Sequence, residues 1–176
     1  MLWTSAEVEG ITGGISSQPW TCSGISIDSR TLEQGDLFVA LQGENGDGHQ
    51  FLEDAEKRGA SALLVSEKSE GMSPRIRVED TLNALEKLGI AARNRAQALR
   101  IAVTGSVGKT STKDALKTIF KDHGPTHGSV SSYNNQWGVP LTLARMPQET
   151  LYGIFEVGMN HPGEIRPLSH ILQPHI

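Results

Sequence analysis

A lysine and a threonine stand side by side, Lys109 and Thr110, after a run of small residues in "RIAVTGSVGKTSTKDAL" (100–116). An ammonium group, a hydroxyl and two glycines at this spacing are the parts of a phosphate grip. Gly105 and Gly108 let the main chain approach phosphate oxygens with no side chain in the way. The turn through Ser106 and Val107, and the helix start at Lys109, Thr110 and Ser111, concentrate positive potential. Lys109 adds a full charge for the β and γ phosphates, and the Thr110 hydroxyl can bind Mg²⁺. The usual spacing is G-x-x-x-x-G-K-[ST]. This chain has G-x-x-G-K-T, with Val103 where the first glycine would stand. The plain alternative is a glycine-containing turn with an exposed lysine.

Such a loop needs a strand before it and a helix after it. "RIAVTG" reads as a strand that stops at a glycine, and 109–121 as a helix with Ala115, Leu116, Ile119 and Phe120 on its apolar face. Lys113 is expected on the solvated side. "GSVSSYNNQWG" reads as a strand end and loop, "VPLTLARM" as a helix that tolerates Pro140 in its first turn, and "LYGIFEVGM" as a buried strand. "GEIRPLSHIL" is helical if it begins close to Pro167. Upstream, "GISIDSR", "DLFVAL", "SALLVS" and "PRIRV" read as strands, "GENGDGHQ" as a loop and "FLEDAEKRGA" as a helix closed by Gly59. Asp80 or Thr81 caps a helix running to about Ala98. Alternating strands and helices predict an α/β fold with parallel sheets. The expected organisation is a small α/β domain over 1–97, including the linking helix, followed over 98–176 by an incomplete parallel-sheet domain with a phosphate loop. "ILQPHI" falls where another strand should start, so the chain is expected to be a piece of a longer protein.

Composition bounds the possibilities. A net charge of −4 over 176 residues offers nucleic acid no general attraction. Residues 1–97 carry 15 acidic and 9 basic side chains, whereas 98–176 carry 5 and 7, so the phosphate loop lies in the positive part. No apolar run approaches the roughly 20 residues of a membrane helix, so no membrane insertion is expected. The start lacks the pattern of a secretory signal. One cysteine, Cys22, cannot form an internal disulfide, which fits a cytoplasmic location. Nothing near Cys22 marks a base, so it reads as a packing residue. His49, His123, His127, His170 and His175 show no metal-ligand spacing.

The shortened loop "TGSVGKTSTK" resembles that of the Mur ligases, ATP-dependent amide-forming enzymes of peptidoglycan precursor synthesis. "NNQWGVPLTL" (134–143) and "FEVGMNHPGEI" (155–165) resemble motifs of the branch that adds D-alanyl-D-alanine to UDP-N-acetylmuramoyl-tripeptide. "DSRTLEQGDLFVALQGENGDGHQF" (28–51) resembles the UDP-precursor-binding domain of that branch and of the one that adds the third amino acid. Together these motifs cover nearly the whole chain.

The resemblance implies ATP and Mg²⁺ as cofactors, with UDP-N-acetylmuramoyl-tripeptide and D-alanyl-D-alanine as substrates. It also implies a mostly monomeric protein. The family's reaction phosphorylates the peptide carboxylate and then lets an amine displace phosphate. By this logic Lys109 is the catalytic cation that steadies the moving phosphoryl group, and Thr110 and Glu156 hold Mg²⁺, which favours oxygen ligands. Glu156 could instead be a strand-end carboxylate paired with a base. Asn134 is assigned to the substrate and Asn135 to the nucleotide, although an Asn pair also makes a turn. Asn160 and His161 lie by resemblance near the substrate channel, though a lone histidine is more often structural. Ser29 and Arg30 are candidates for the UDP-sugar, because arginine's donor fork matches a diphosphate. A surface ion pair is the alternative for Arg30. "GDGH" (46–49) is placed, by resemblance only, around the uracil. The competing functions are the ligase adding the third residue, a non-catalytic binding module and a small-molecule kinase. Without the family's remaining domains the chain alone is expected to be inactive.

Overall fold

The computed structural model describes residues 1–43, 46–130, 133–159 and 161–176. It separates into two compact units, Met1–Leu88 and Gly89–Ile176. The division falls inside a helix that the sequence assigns whole to the first unit, with the boundary after residue 97.

The first unit begins with β1 (Trp3–Thr4) and α1 (Ser5–Thr12). Thr4 and Glu7 form a reciprocal capping box at the start of α1, and Gly13, at φ 75°, ends it. Then come β2 (Ile15–Ser16), β3 (Thr21–Cys22), β4 (Gly24–Ser26), β5 (Asp36–Val39), β6 (Gln42–Gly43) and β7 (Gly46–Asp47). A 3-10 turn (Gly48–Phe51) leads into α2 (Leu52–Lys57), β8 (Ala62–Val65), β9 (Arg75–Arg77) and α3 (Thr81–Arg95). The main sheet has the order β2-β9-β8-β5-β4. Its members are parallel except β2, which runs antiparallel at the edge. "ALLV" (62–65) is buried at every position, the pattern of a strand covered on both faces. β4 stops at Ser26 rather than reaching Arg30, because Asp28 N–H turns back to the Ser26 hydroxyl. Asp80, not Thr81, caps α3: its carboxylate accepts from Asn83 N–H at 2.8 Å.

The second unit runs β10 (Leu99–Val103), α4 (Lys109–Lys121), β11 (Thr126–Gly128), α5 (Gly138–Ala144), β12 (Tyr152–Glu156) and α6 (Ile165–Leu172). Its three strands are parallel in the order β10-β12-β11. Pro140 and Pro167 both lie in the first turn of their helices, where no intrahelical N–H is lost. Phe155 joins Val139, Leu143, Met146, Leu168 and Leu172 in one buried cluster. Its neighbours Ile154 and Glu156 alternate to the other side of the pleat, towards α4. Arg93 donates to the carbonyls of His170 and Ile171, and Arg100 to those of Leu172 and Gln173, so two cations meet the C-terminal end of α6. Ile176 pairs with β10, donating to Arg100 O and accepting from Ala102 N–H.

The inner face of α4 differs from the expected one. Ala115 and Ile119 are exposed, whereas Lys113, Leu116, Lys117 and Phe120 face inward. Lys113 is 2% exposed, not solvated. The contact of Thr110 with β12 sets the rotation of the helix, and residues three, seven and ten positions later follow it inward. Among the described residues, no helix is long and apolar enough to cross a membrane.

Candidate functional site

The sheet order explains how residues far apart in sequence meet. β12 lies beside β10 with Val103 opposite Glu156, so Glu156 ends its strand where the glycine loop begins. The loop turns through Gly105 at φ 143° and Gly108 at φ 79°, conformations that a side chain rarely adopts. Gly108 is also the residue from which α4 starts. The first N–H groups of a helix have no internal partner, so they face the space above the loop.

That space is an open cavity of about 310 Å³. The loop from Ser106 to Ser111 lines one side, and Asn134 and Glu156 line the other. Lys109 Nζ donates to Gly105 O at 2.7 Å, folding the cation over the loop. Val107 stands 88% exposed at the loop's tip.

Glu156 is 2% exposed. Thr110 Oγ1 donates to one carboxylate oxygen at 2.9 Å, and Asn134 Nδ2 donates to the other at 2.8 Å. Its N–H donates to Ser129 Oγ at 3.1 Å. Two neutral donors therefore satisfy the buried carboxylate, and neither is the base of the alternative reading. Gly158 makes room for Asn134: a Cβ there would come within 2.8–2.9 Å of the carboxamide atoms. Neither Ser129 nor Gly158 was singled out from the sequence, because each acts through a contact across the sheet.

The two adjacent asparagines part company. Asn134 turns to Glu156. Asn135 Oδ1 accepts from the N–H groups of Trp137 and Gly138 at 3.2 and 3.0 Å, and so caps the start of α5 in the manner of a turn. His161 is exposed. Asn160 lies outside the described residues.

In the first unit, Ser29 and Arg30 follow β4 and the "GDGH" stretch follows β5, at the carboxyl edge of the parallel strands. That edge is where open α/β sheets bind ligands. Ser29 is buried. Arg30 forms the ion pair of the alternative: Nε lies 2.9 Å and Nη2 2.7 Å from the two oxygens of Asp28. These bonds hold the Asp28 carboxyl below its ordinary range. His49 Nδ1 meets Asp47 at 2.6 Å and its Nε2 accepts from Ser66 N–H at 3.0 Å, which ties the loop to β8. Cys22 is buried, and burial pushes its thiol up to about 12, so it is inert.

The residues present fit a nucleotide phosphate tail with a magnesium ion. The glycine loop leaves a cradle, Lys109 can swing from a single carbonyl contact, and Thr110 and Glu156 supply a hydroxyl and a carboxylate. Among the described residues no group of three His, Cys, Asp or Glu side chains could hold a metal. One carboxylate and one hydroxyl suit magnesium, which keeps waters and takes its other ligands from phosphate oxygens.

Residues 21–107 match the "Mur ligase family, catalytic domain" and 103–176 the "Mur ligase middle domain". The UDP-N-acetylmuramoyl-tripeptide–D-alanyl-D-alanine ligase of Rickettsia prowazekii (strain Madrid E) is 41% identical across 100% of this chain and 39% of its own length. The UDP-N-acetylmuramoylalanyl-D-glutamyl-2,6-diaminopimelate–D-alanyl-D-alanyl ligase structure from Acinetobacter baumannii superposes with TM-score 0.84 at 36% identity, covering 98% of this chain and 40% of that one. The MurF ligase from Thermotoga maritima in complex with ADP superposes with TM-score 0.69 at 28% identity, over 88% of this chain and 36% of its own. The chain thus spans about two fifths of the length of these relatives.

Proposed function

Since the chain belongs to the Mur ligase family, we propose that it supplies the precursor-binding and phosphate-gripping parts of an ATP-dependent ligase. That ligase adds D-alanyl-D-alanine to UDP-N-acetylmuramoyl-tripeptide. The names of its relatives support the reaction, and one geometric observation supports the site: Glu156, held by Thr110 and Asn134 at the lip of the glycine loop.

Bringing a peptide carboxylate against a triphosphate sets anion against anion. Bound ATP with Mg²⁺ supplies the phosphoryl group and part of the neutralising charge. The chain's own residues do the rest. The main-chain N–H groups of 106–111 would hold the phosphate oxygens, with Lys109, now on Gly105 O, in reach of them. Thr110 and Glu156 would hold the magnesium. Asn134 keeps the carboxylate of Glu156 aimed at the cavity, since both its oxygens already have donors to orient them. Ser29 and Arg30 take the UDP part, and the diphosphate competes with Asp28 for the guanidinium fork. Asn160 and His161 belong to the substrate side, and Asn135 acts on the nucleotide site indirectly, by fixing where α5 starts. We assign the protein to the cytoplasm, where its nucleotide substrates are, as a monomer.

Isothermal titration tests the two halves separately. The chain should bind Mg-ADP, with binding lost in Lys109→Ala. It should bind UDP-N-acetylmuramoyl-tripeptide, with affinity lowered in Arg30→Ala. A folded wild-type chain giving no heat with Mg-ADP would refute the nucleotide site.

A further inference from the structure

We propose that Lys113 is a positioning residue for Glu156, acting through Ser129. The inference rests on the reading of Glu156 as the metal-side carboxylate of the cradle. Lys113 lies one helical turn beyond Lys109 on α4 and is 2% exposed. An ammonium group at such a depth needs a purpose, because burying it is costly unless it is well paired. Its Nζ donates to Ser129 O at 3.2 Å and stands 3.1 Å from Asp114 Oδ1. The Asp114 side chain is 62% exposed, so that ion pair is screened and accounts for little of the burial.

Ser129 is the informative partner. Its N–H donates to Ile154 O at 3.2 Å, and its Oγ accepts from Glu156 N–H at 3.1 Å. Ser129 therefore continues the pairing of β11 with β12 up to the residue that bears the carboxylate. It also opens the segment that leads to Asn134, which grips that carboxylate. Thr110 and Lys113, three positions apart, share one face of α4. The helix thus secures Glu156 twice: Thr110 at the carboxylate, and Lys113 at the main chain by way of Ser129. A shift of α4 that carries Thr110 also carries the strand exit, so hydroxyl and carboxylate keep their spacing.

A lysine kept only for packing would be replaced without loss by methionine, whose stem is similar and carries no charge to desolvate. Lys113→Met should therefore leave the urea midpoint unchanged or raised, and still loosen Glu156. Amide hydrogen exchange reads this without nucleotide. The Glu156 N–H should exchange about tenfold faster in Lys113→Met, with amides elsewhere in β10 and β12 unchanged. Ser129→Ala should give a similar increase, and the double variant no more than Ser129→Ala alone. Lys113→Arg, which keeps a donor, should restore slow exchange. In titration, Lys113→Met should weaken ADP binding about tenfold with magnesium and leave metal-free ADP binding in EDTA unchanged.

A uniform rise in exchange across the second unit would mean a structural role and overturn the proposal. Unchanged exchange at Glu156, or additive effects of the two substitutions, would do the same. If the wild type binds no Mg-ADP while Glu156 exchange still answers to Lys113→Met, the tether stands and the metal-side reading of Glu156 falls.

Discussion

His127 offers a sharp physical test on β11. Its Nε2 lies 2.7 Å from Thr142 O, at the distance of a donated hydrogen bond, and its ring stands 6.4 Å from that of Phe155. That geometry places a proton on Nε2. Burial pushes the pKa down to about 4, the hydrogen bond to Thr142 opposes this, and the charges of Lys117 and Arg145 add to it. The unfolded chain takes up its proton near 6.5, before the folded one does. Stability is therefore full above about pH 6.5 and is lost as pH falls towards about 4, where the folded form is protonated too. The gap is worth about 3 kcal/mol at most, a large part of the stability of a small unit. Glu86, raised by burial, works in the opposite direction but belongs to the first unit. Urea unfolding between pH 7.5 and 4 measures the loss. Trp137 fluorescence reports the second unit, and Trp3 and Trp20 the first. His127→Gln keeps an N–H for Thr142 and cannot titrate, so it should flatten the profile of the second unit. An imidazole midpoint near 6.5 in the folded chain by NMR, or an unchanged profile in His127→Gln, would refute the reasoning.

Other consequences follow from single contacts. In a full-length ligase, Lys109→Ala should lower the ligation rate about 10²–10³-fold, about 2.7–4 kcal/mol of transition-state stabilisation, read in a single-turnover assay. Its side-chain hydrogen bond goes to Gly105 O, within its own loop, so the urea midpoint should stay put. Gly158→Ala should push the Asn134 carboxamide off Glu156 and weaken Mg-ADP binding without unfolding the unit; unchanged binding would show that Asn134 has room to shift. Arg93→Met should destabilise the second unit by about 1–3 kcal/mol in urea, because the carbonyls of His170 and Ile171 lose a buried donor. An unchanged midpoint would mean that water replaces the guanidinium there.

The local part of this protein was legible in its sequence. Gly105, Gly108, Lys109 and Thr110 announce a glycine turn that opens a helix, because backbone freedom and a helix start are properties of neighbouring residues. The limits expected for α4, 109–121, match the structure because a glycine at one end and an apolar period along the length define a helix locally. The parallel sheets followed from the alternation of strands and helices. Tertiary structure decided what depends on which strand lies beside which. The order β10-β12-β11 brings Glu156 to Thr110 across 46 positions of sequence, and brings Ser129 to Glu156 across 27. It also turned Lys113 inward, against the pattern that put Ala115 and Ile119 on the buried face. Periodicity scores a side chain by its own hydrophobicity. The carbonyl of Ser129 meets the buried end of Lys113, and no local stretch of sequence reveals that carbonyl.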